Sequence, residues 1–319
     1  MVLNEIVEMC GVTILKCMSR TEPSWDLYRT FLAVLTEGSL SGAARALGLT
    51  QPTVARHIDA LEAVIGYDLF VRSQRGLAPT EAALDLRPYA ETLASTSAAL
   101  LRAASGHGTA VKGTVRISAS EVVGVEVLPA ILTDLRARYP ELVIELVLSN
   151  SLDDLLRREA DVAVRMVEPV HEALVARPVG SITLGLHAHR RYLKRRGVPS
   201  RLEDLSRHDL IGFDRETPAI RSMLQRVSGF EHIHFAMRAD SDLAQLAAIR
   251  AGFGIGVCQI ALAARHPDLA RVLAEEFRLD LQTWIVMHED LRSSPRCRVT
   301  FDALADGLTT YIRAAQSPP

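Results

Sequence analysis

The chain places four side chains with hydrogen-bonding groups at helical spacing: Gln51, Thr53, Arg56 and His57. The opposite face of the same predicted helix carries apolar residues: Val54, Ile58, Leu61 and Ile65. This spacing predicts a helix that buries one face and turns the polar face outward. Thr50 can cap its N-terminus, and Pro52 fits its first turn, where a backbone N–H has no helical partner. Such side chains can bond base edges and phosphates, although an ordinary three-helix core with a solvated face fits the same pattern.

Two shorter helical patterns precede this helix. Apolar residues repeat at three- and four-residue spacing over residues 27–35, and Gly38 ends that pattern. Ser39 or Ser41 can cap a short second helix, which Gly48 ends with a tight turn. Ser39, Ser41 and Pro52 are also candidate DNA contacts. Three helices joined by two short turns predict a helix–turn–helix, in which the last helix faces outward to read DNA.

A small hairpin is predicted directly after the three helices. Residues 66–72 and 77–80 are typical of strands, and a Gly-containing turn lies between them. Arg72 and Arg75 fall at the shoulder and tip, so the hairpin would form a basic wing beside the third helix. Arginines at a loop tip could equally serve solubility alone.

Residues 80–104 predict one long helix that connects to the rest of the chain. Small or apolar residues repeat along it near every 3.5 positions: Leu86, Ala90, Leu93, Ser97 and Leu100. This period is typical of a seam between paired helices, and the alternative is a single helix packed on its own domain. Pro88 is expected to bend or fray the first turns. Residues 103–112 are small and Gly-containing, which indicates a hinge.

Beyond Gly113 the chain alternates strand and helix patterns. Strands are predicted at residues 114–118, 142–148 and 161–165, with helices at 122–139 and 152–159 between them. A βαβαβ run of this kind predicts a parallel sheet. A second set begins near Ile182, and its predicted strands are 210–213, 233–239, 255–258 and 284–287. Its predicted helices lie near Leu193, near Met223, at 243–251 and at 297–312.

Ligands of open parallel sheets bind outside the carboxyl ends of the strands. This rule selects ten positions: Ser118, Ala119, Ser120, Ser149, Asn150, Arg165, Phe213, Asp214, Asp240 and Ser241. Arg165 favours an anionic group on the ligand, and its alternative role is a structural pair with an acid such as Asp161 or Glu168. The serines could instead serve only as helix caps.

Residues 31–80 resemble the winged helix–turn–helix of the LysR-type transcriptional regulators. The matching pieces are Gly38-Ser39, Ala43-Ala44, Thr50-Gln51-Pro52, Leu61-Glu62, Gly66, Leu69-Phe70, Arg72 and Pro79-Thr80. The resemblance implies a linker helix that forms an antiparallel dimer contact. It also implies two α/β lobes similar to periplasmic solute-binding proteins, joined by crossings near residues 179–186 and 279–284. In that family the strand-end positions chosen above line the cleft for a small-molecule effector.

The expected architecture is therefore an α/β chain with an N-terminal all-α winged helix–turn–helix, a long linker helix and a C-terminal two-lobe domain. An N-terminal extension covers residues 1–22, the winged helix–turn–helix 23–80, and the linker helix with its hinge 81–112. The effector-binding domain covers 113–319, with lobe I at 113–181 and 283–319 and lobe II at 182–282. Residues 1–17 depart from the family pattern. They are interpreted as a frayed extension or as a start codon placed too early, with Met18 as the real start, rather than as a functional segment.

Composition limits the classes of protein and partner. The 319 residues have 48% hydrophobic side chains and a net charge of −2, so disordered classes are excluded and no global basic field is present. Residues 19–105 hold eight Lys/Arg against nine Asp/Glu, so any DNA affinity must come from placement, helix N-termini and dimeric avidity. No apolar run is long enough for a membrane span, and the four cysteines form no Cys-x-x-Cys pair, which fits a reducing cytoplasm.

Four other patterns are weighed and set aside. The glycines of residues 252–256 follow a helix and enter a strand, the reverse of a dinucleotide-binding loop. The pairs His187/His189 and His232/His234 lack the further ligands of a metal site. The basic run at residues 190–196 could touch DNA but is interpreted as a solvated helix face.

The sequence thus predicts a cytoplasmic transcriptional regulator of the LysR type, not an enzyme, with no cofactor. Its expected partners are double-stranded promoter DNA, a small-molecule effector that can be anionic, further copies of itself from homodimer to homotetramer, and RNA polymerase, with no membrane. Two alternatives stay open. A solute-binding protein is opposed by the missing signal sequence, and an enzyme on the α/β lobes is opposed by the missing nucleophile–base pairs and metal sets.

Overall fold

The computed structural model describes residues 22–73, 76–105, 110–149, 153–214 and 234–316. The chain divides into two compact units, the first ending at Ala98 and the second beginning at Ala99. Residues 1–21 of the predicted N-terminal extension lie outside the described residues, as do the helix near Met223 and residues 106–109 of the expected hinge.

Three helices, a hairpin and a long helix make up the first unit, in the order that the sequence predicts. Their bounds are α1 Trp25–Glu37, α2 Leu40–Leu47, α3 Gln51–Ile65, β1 Phe70–Ser73, β2 Gly76–Pro79 and α4 Glu81–Ser105. The Ser39 side chain accepts from the Gly42 N–H and caps α2, and Thr50 caps α3 by accepting from the Thr53 N–H. Each cap satisfies a backbone donor that the first helical turn leaves without a partner.

The core of this unit forms between the inner faces of the helices. Phe31 and Val34 of α1 meet Val54, Ile58 and Leu61 of α3, and all five are buried. The inward face predicted for the third helix is therefore confirmed, because the apolar spacing of 3.6 residues puts these side chains on one stripe.

The hairpin pairs β1 with β2 in antiparallel register, and its second strand is fixed to the helices near the turn. The Leu77 N–H donates to the Gly38 carbonyl oxygen at 3.2 Å. A Cβ at Gly76, whose φ is +121°, would lie 2.9 Å from that same oxygen. The close approach of the two backbones therefore requires glycine at position 76.

The second unit alternates strands and helices around one sheet. Its strands are β3 Gly113–Ala119, β4 Leu142–Leu148, β5 Val162–Arg165, β6 Leu174–His189, β7 Leu210–Gly212, β8 Phe235–Arg238, β9 Ile255–Gln259, β10 Leu269–Val272 and β11 Leu279–His288. Its helices are α5 Glu121–Glu126, α6 Leu128–Arg138, α7 Asp153–Leu156, α8 Arg190–Arg196, α9 Asp242–Arg250, α10 Ile260–Ala263 and α11 Pro295–Gln316. Short 3₁₀ turns cover Leu202–Arg207 and Glu289–Leu291.

Two long strands join the two halves of this sheet. Its order is β4-β3-β5-β11-β6-β9-β7-β8, with β10 paired to β6. The βαβαβ run gives parallel pairs of β3 with β4 and β5, whereas β6 and β11 run antiparallel to each other from Leu279↔Leu184 to His288↔Leu174. The paired strands β6 and β11 support the two predicted lobe crossings, although β6 begins earlier than the sequence indicates.

One predicted helix is wrong in extent. Residues 122–139 form two helices, α5 and α6, which meet at Val127 with a φ of −117°. Pro129 has no N–H to donate to the carbonyl of Val125, and its ring would clash there, so the first helix cannot continue. The following predicted helix, 152–159, is confined to the single turn α7.

An ion pair fastens the last turn of α4 within the second unit. Arg102 Nε donates to both carboxylate oxygens of Asp161, at 3.3 and 3.2 Å, and its Nη2 donates to the Arg158 carbonyl at 3.0 Å. Arg102 and Asp161 are 8% and 3% exposed. The end of the linker helix is thus held by a buried charge pair. Across the described ranges, no helix is long and apolar enough to cross a membrane.

Candidate nucleic-acid interface and ligand cleft

The outward face of α3 is open to solvent. Gln51, Pro52 and Arg56 are exposed, while Thr53 and His57 are half-buried. The cap at Thr50 and the buried stripe behind the helix fix this face, so the exposed side chains extend from a rigid surface. An exposed guanidinium and carboxamide on a helix of this kind can bond the acceptor and donor edges of bases.

Hydrogen bonds within the unit already orient several of the predicted DNA-contact residues. Ser41 Oγ donates to Gln51 Oε1 at 3.3 Å, and this bond links α2 to the first residue of α3. The bond also orients the Gln51 carboxamide and therefore its NH₂ group. The Thr53 hydroxyl lies 2.8 Å from the hydroxyl of Thr50. Ser39 acts as the cap of α2 and is therefore a structural residue in this conformation.

His57 has a defined ring orientation. Its Nδ1 lies 2.8 Å from Thr30 Oγ1, and that hydroxyl donates its own hydrogen to the Asp26 carbonyl at 2.7 Å. The Thr30 oxygen must therefore accept from Nδ1–H of His57. In the neutral ring this leaves Nε2 as an acceptor, which suits the exocyclic amines of adenine or cytosine.

Glu62 connects the third helix to the wing, a role that the sequence analysis did not assign. Its Oε1 accepts from the backbone N–H groups of Leu69 and Phe70, at 2.6 and 3.3 Å. The bonds hold the first strand of the wing against the end of α3. Arg75 lies outside the described residues, and of Arg72 the structure describes only its backbone place in β1.

The predicted seam of the linker helix divides into two parts. Ala90 is buried in the helix–turn–helix core and Leu86 packs against that core. These two residues therefore follow the alternative in which the helix packs on its own domain. Leu93 and Leu100 are 45% and 66% exposed. Tyr89 and Leu101, which the sequence analysis did not single out, are exposed as well. The exposed apolar surface of α4 therefore extends along the helix, from Leu84 and Tyr89 to Leu100 and Leu101.

Three predicted cleft residues meet at the carboxyl ends of β3, β4 and β5. Arg165 is 3% exposed, and its guanidinium donates to Ser118 Oγ at 2.8 Å. The same group donates to the carbonyls of Val164 and Ser149, at 2.9 and 3.4 Å. Asp161, one of the two acids considered as its partner, is instead held by Arg102. Ala119 is buried beside them, and Asn150 lies outside the described residues.

The first turn of α5 contacts the first turn of α9. Glu121 directly follows the predicted residue Ser120, and its Oε2 accepts from Ser241 Oγ at 2.8 Å and from the Leu243 N–H at 3.2 Å. Burial, together with the Glu121 charge, raises the pKa of Asp242. The other predicted residues of this side, Phe213, Asp214 and Asp240, are half-buried or exposed near the ends of β7 and β8. We call the contact of Glu121 with Ser241 and Leu243 the inter-lobe clasp.

An ion pair between Arg250 and Glu126 also joins α9 to α5, the two helices of the inter-lobe clasp. Arg250 Nη1 donates to Glu126 Oε1 at 2.6 Å, which lowers the pKa of Glu126. Arg265 adds a bond to the Glu126 carbonyl at 3.0 Å. The sequence analysis identified neither Glu121 nor Glu126, because the residues that these two acids contact lie more than a hundred positions away along the chain.

The patterns set aside from sequence have structural roles where the structure describes them. Gly252, with a φ of +70°, follows α9, and Ile255 begins β9, so the glycine run ends a helix and enters a strand as predicted. The basic run forms α8 and buries Tyr192 beneath its charged side chains. Within the described ranges, no cluster of three or more potential metal ligands occurs.

A winged helix–turn–helix, followed by a long helix and an α/β unit whose sheet has two halves joined by β6 and β11, defines a class of protein: a DNA-binding regulator with a separate ligand-binding domain. Comparison with known families agrees. The model described as "LysR substrate binding domain" matches residues 108–309, and "Bacterial regulatory helix-turn-helix protein, lysR family" matches 25–84. The chain belongs to the LysR family of transcriptional regulators.

Individual relatives have the same organisation. A probable HTH-type transcriptional regulator, LtrA, of Klebsiella pneumoniae is 26% identical over 90% of this chain and 96% of its own length. An HTH-type transcriptional regulator of Xanthomonas campestris is 30% identical over 56% of this chain, and that match spans about half, 52%, of the relative. The solved structure of full-length CbnR in complex with its target DNA has a TM-score of 0.60 at 20% identity, covering 92% of this chain and 99% of that one.

These relatives are regulators and not enzymes, as expected from sequence. Members of this family bind DNA and small-molecule effectors and form oligomers. The fold class predicted from sequence is confirmed by the two family matches and by the structural likeness.

Proposed function

We propose that the chain reads double-stranded promoter DNA with the outward face of α3, and that this occurs in the cytoplasm. The observation that carries the proposal is the exposed set Gln51, Pro52 and Arg56 on a helix fixed by its cap and by three buried apolar residues. The Nε2 acceptor of His57 adds a contact that favours an amine edge. The wing, held by Glu62, would contact backbone or minor groove with Arg72 and Arg75.

Arg56→Ala tests this assignment by fluorescence anisotropy on DNA from upstream of the chain's own gene. We expect binding to weaken by about 1–3 kcal/mol, with a smaller salt dependence if the lost contact is to a phosphate. Arg87→Ala is the matched control, because Arg87 is an exposed arginine of the same unit paired with Glu91 on α4. Equal affinities for the two variants would contradict a role for Arg56 in DNA contact.

We infer that two copies pair through the exposed apolar surface of α4 and that the lobes associate further to a homotetramer. The support is the exposure of Tyr89, Leu93, Leu100 and Leu101, since a stripe of this kind on one helix is costly to leave in water. A dimer also doubles the number of recognition helices on a two-fold site.

Leu93→Glu with Leu100→Glu should shift the protein to smaller species in light scattering at micromolar concentration. Val170→Glu serves as the control, since Val170 is an apolar residue 96% exposed in the second unit. A monomer in the unmodified protein would rule out the tetramer.

The effector is proposed to be a small molecule with an anionic group, bound between the lobes. Arg165 supplies a buried positive charge beside Ser118 and Ser149 at one wall. At the other wall, the donors of Ser241 and Leu243 are already occupied by a carboxylate, that of Glu121. An anionic effector would compete with Glu121 for these donors and so alter the inter-lobe clasp.

A thermal-shift screen of small carboxylic acids against their amides tests the charge of the effector. We expect acids alone to raise the unfolding temperature, and Arg165→Met to reduce the effect. Stabilisation by an amide equal to that by its acid would contradict an anionic effector.

Effector binding is proposed to act by shifting the angle between the lobes. A ligand that binds one lobe arrangement more tightly changes its population, and the spacing of the paired DNA-binding units follows. That change would alter DNA bending and the access of RNA polymerase to the promoter. DNase I footprints with and without a stabilising acid should then differ in length or hypersensitive positions, whereas unchanged footprints would oppose this mechanism.

A further inference from the structure

A cavity lies away from the predicted strand-end cleft. Its volume is about 330 Å³, within the range of small-molecule sites. Strand β6 contributes Ile182 and Thr183, α10 contributes Ile260 and Ala261, and the end of α11 contributes Tyr311 with its neighbour Ile312. Arg271 of β10, Arg278 and Ser181 complete the walls.

Positive charge predominates around this cavity. Arg271 Nη2 donates to the Ala274 carbonyl at 2.9 Å, while its Nε is buried and has no hydrogen-bond partner within the described ranges. Arg278 is paired with Asp280 at 3.1 Å. Arg265 lies 5.1 Å from the centre of the Tyr311 ring. Of the two arginines that line the cavity, Arg278 is paired with an acid, whereas Arg271 forms no ion pair among the residues that the structure describes, so the site is suited to a negative charge.

The fold makes room for Arg271 and keeps its neighbours neutral. Gly185 lies beneath it, and a Cβ there would stand 3.1 Å from Arg271 Nε. His187, on the same face of β6, donates from Nδ1 to the Gly185 carbonyl at 2.9 Å. Burial and the nearby Arg271 lower the pKa of His187 to about 4, so at neutral pH it adds no charge.

Apolar side chains form the remaining walls. Ile182 and Ile312 are 3% and 4% exposed, and Ile260 and Ala261 are half-buried. The Tyr311 hydroxyl donates to Gln259 Oε1 at 2.8 Å, which fixes the ring as one side of the cavity. A few polar groups on an apolar wall are typical of sites for compact organic ligands.

From this arrangement we propose a second ligand site, for a small organic carboxylate whose charge meets Arg271 and whose apolar body packs between Ile182, Ile260 and Ile312. The site is separate from the cleft at Arg165. Its walls include α10, which packs against β9 and β10, and α11, which packs against β3 and β5, so they belong to both halves of the sheet that β6 and β11 join. A ligand there would therefore bias the angle between the halves without entering the cleft.

Isothermal calorimetry on the full-length protein tests the proposal with cyclohexanecarboxylate as the probe and cyclohexanecarboxamide as its neutral counterpart. We expect the acid to bind at least about tenfold more tightly than the amide, because a charge-assisted bond is lost in the amide. Arg271→Met should weaken the acid by a similar factor. Ala261→Phe should abolish binding by filling the cavity while leaving every arginine in place.

Arg165→Met is the control that separates the two sites. Binding of the probe that survives Arg165→Met and is lost in Ala261→Phe supports the second site, whatever the cleft binds. Binding lost in Arg165→Met and kept in Ala261→Phe would place the probe in the cleft and overturn the proposal. No heat of binding at millimolar probe would also overturn it. Circular dichroism and unfolding temperatures establish whether each variant folds. If Arg271→Met does not fold, Ala261→Phe still decides the test.

Discussion

Replacing Arg102 by methionine should destabilise the second unit strongly. The side chain is 8% exposed and holds Asp161, itself 3% exposed, through bonds of 3.2 and 3.3 Å. Methionine keeps most of the apolar stem but removes the guanidinium. Asp161 would retain the bond from the Arg116 N–H, at 3.0 Å, but would lose its counter-charge. Removing one partner of a buried ion pair costs about 3–5 kcal/mol.

The assay is urea unfolding followed by tryptophan fluorescence. The chain has two tryptophans, and Trp25→Phe leaves Trp284 of β11 as the reporter of the second unit. Arg177→Met is the matched control, since Arg177 is half exposed and pairs with Asp306 at 3.2 Å on the same unit. An exposed pair of this kind contributes about 0–1 kcal/mol.

A double-mutant cycle isolates the charge pairing from the loss of packing. Asp161→Asn added to Arg102→Met removes the unpaired charge, so the double variant should recover stability relative to Arg102→Met, with a coupling of at least about 1 kcal/mol. If Arg102→Met loses no more stability than Arg177→Met, or if the cycle shows no coupling, the reasoning from burial is refuted.

Three further predictions concern other parts of the molecule. Glu62→Ala should lower the free energy of unfolding of the first unit by about 1–3 kcal/mol and weaken DNA binding, because two wing N–H groups lose their acceptor. Glu62→Gln keeps an oxygen and should lose less stability and less affinity. Equal losses for the two variants, in urea unfolding and in DNA-binding anisotropy, would oppose this role of Glu62. Burial lowers the pKa of His187 from 6.5 to about 4, so as the pH falls the unfolded state takes up the proton first. The contribution of His187 to the free energy of unfolding is therefore present above pH 6.5 and is lost as the pH falls towards 4. Urea unfolding at pH 7.5 and 4.5 should show the unmodified protein losing about 2–3 kcal/mol more than His187→Gln, and parallel losses would contradict the burial of a neutral ring. Burial raises the pKa of Cys258 to about 12 and raises that of Cys297, so with the other two cysteines changed to serine, Ellman's reagent should label the protein only after unfolding.

Much of the candidate DNA interface could be predicted from the sequence. The spacing of Val54, Ile58 and Leu61 defines the buried side of α3, and Thr50 with Pro52 defines its start. These preferences act within one or two helical turns, so they do not depend on the rest of the fold. The strands β4 and β9 were found for the same reason, as short apolar runs between turn residues.

The links between elements could not be predicted. His57 is oriented by Thr30, 27 positions earlier, and the sequence between them carries no signal for that bond. Leu86 and Ala90 share the period of a paired helix seam with Leu93 and Leu100, yet the first two pack against the core of their own unit. A periodic pattern shows which face of a helix is apolar but not which surface covers it.

The sequence by itself determined the order of helices and strands in the first unit, the outward polar face of α3 and the family to which the chain belongs, because each depends on local spacing and short motifs. The tertiary structure decided which charges and hydroxyls meet. Arg102 and Asp161 are 59 positions apart, and Glu121 and Ser241 are 120 apart. Such pairs form only when the sheet brings distant strand ends and helix starts together, so their contacts, and the cavity beside Arg271, depend on the path of the whole chain.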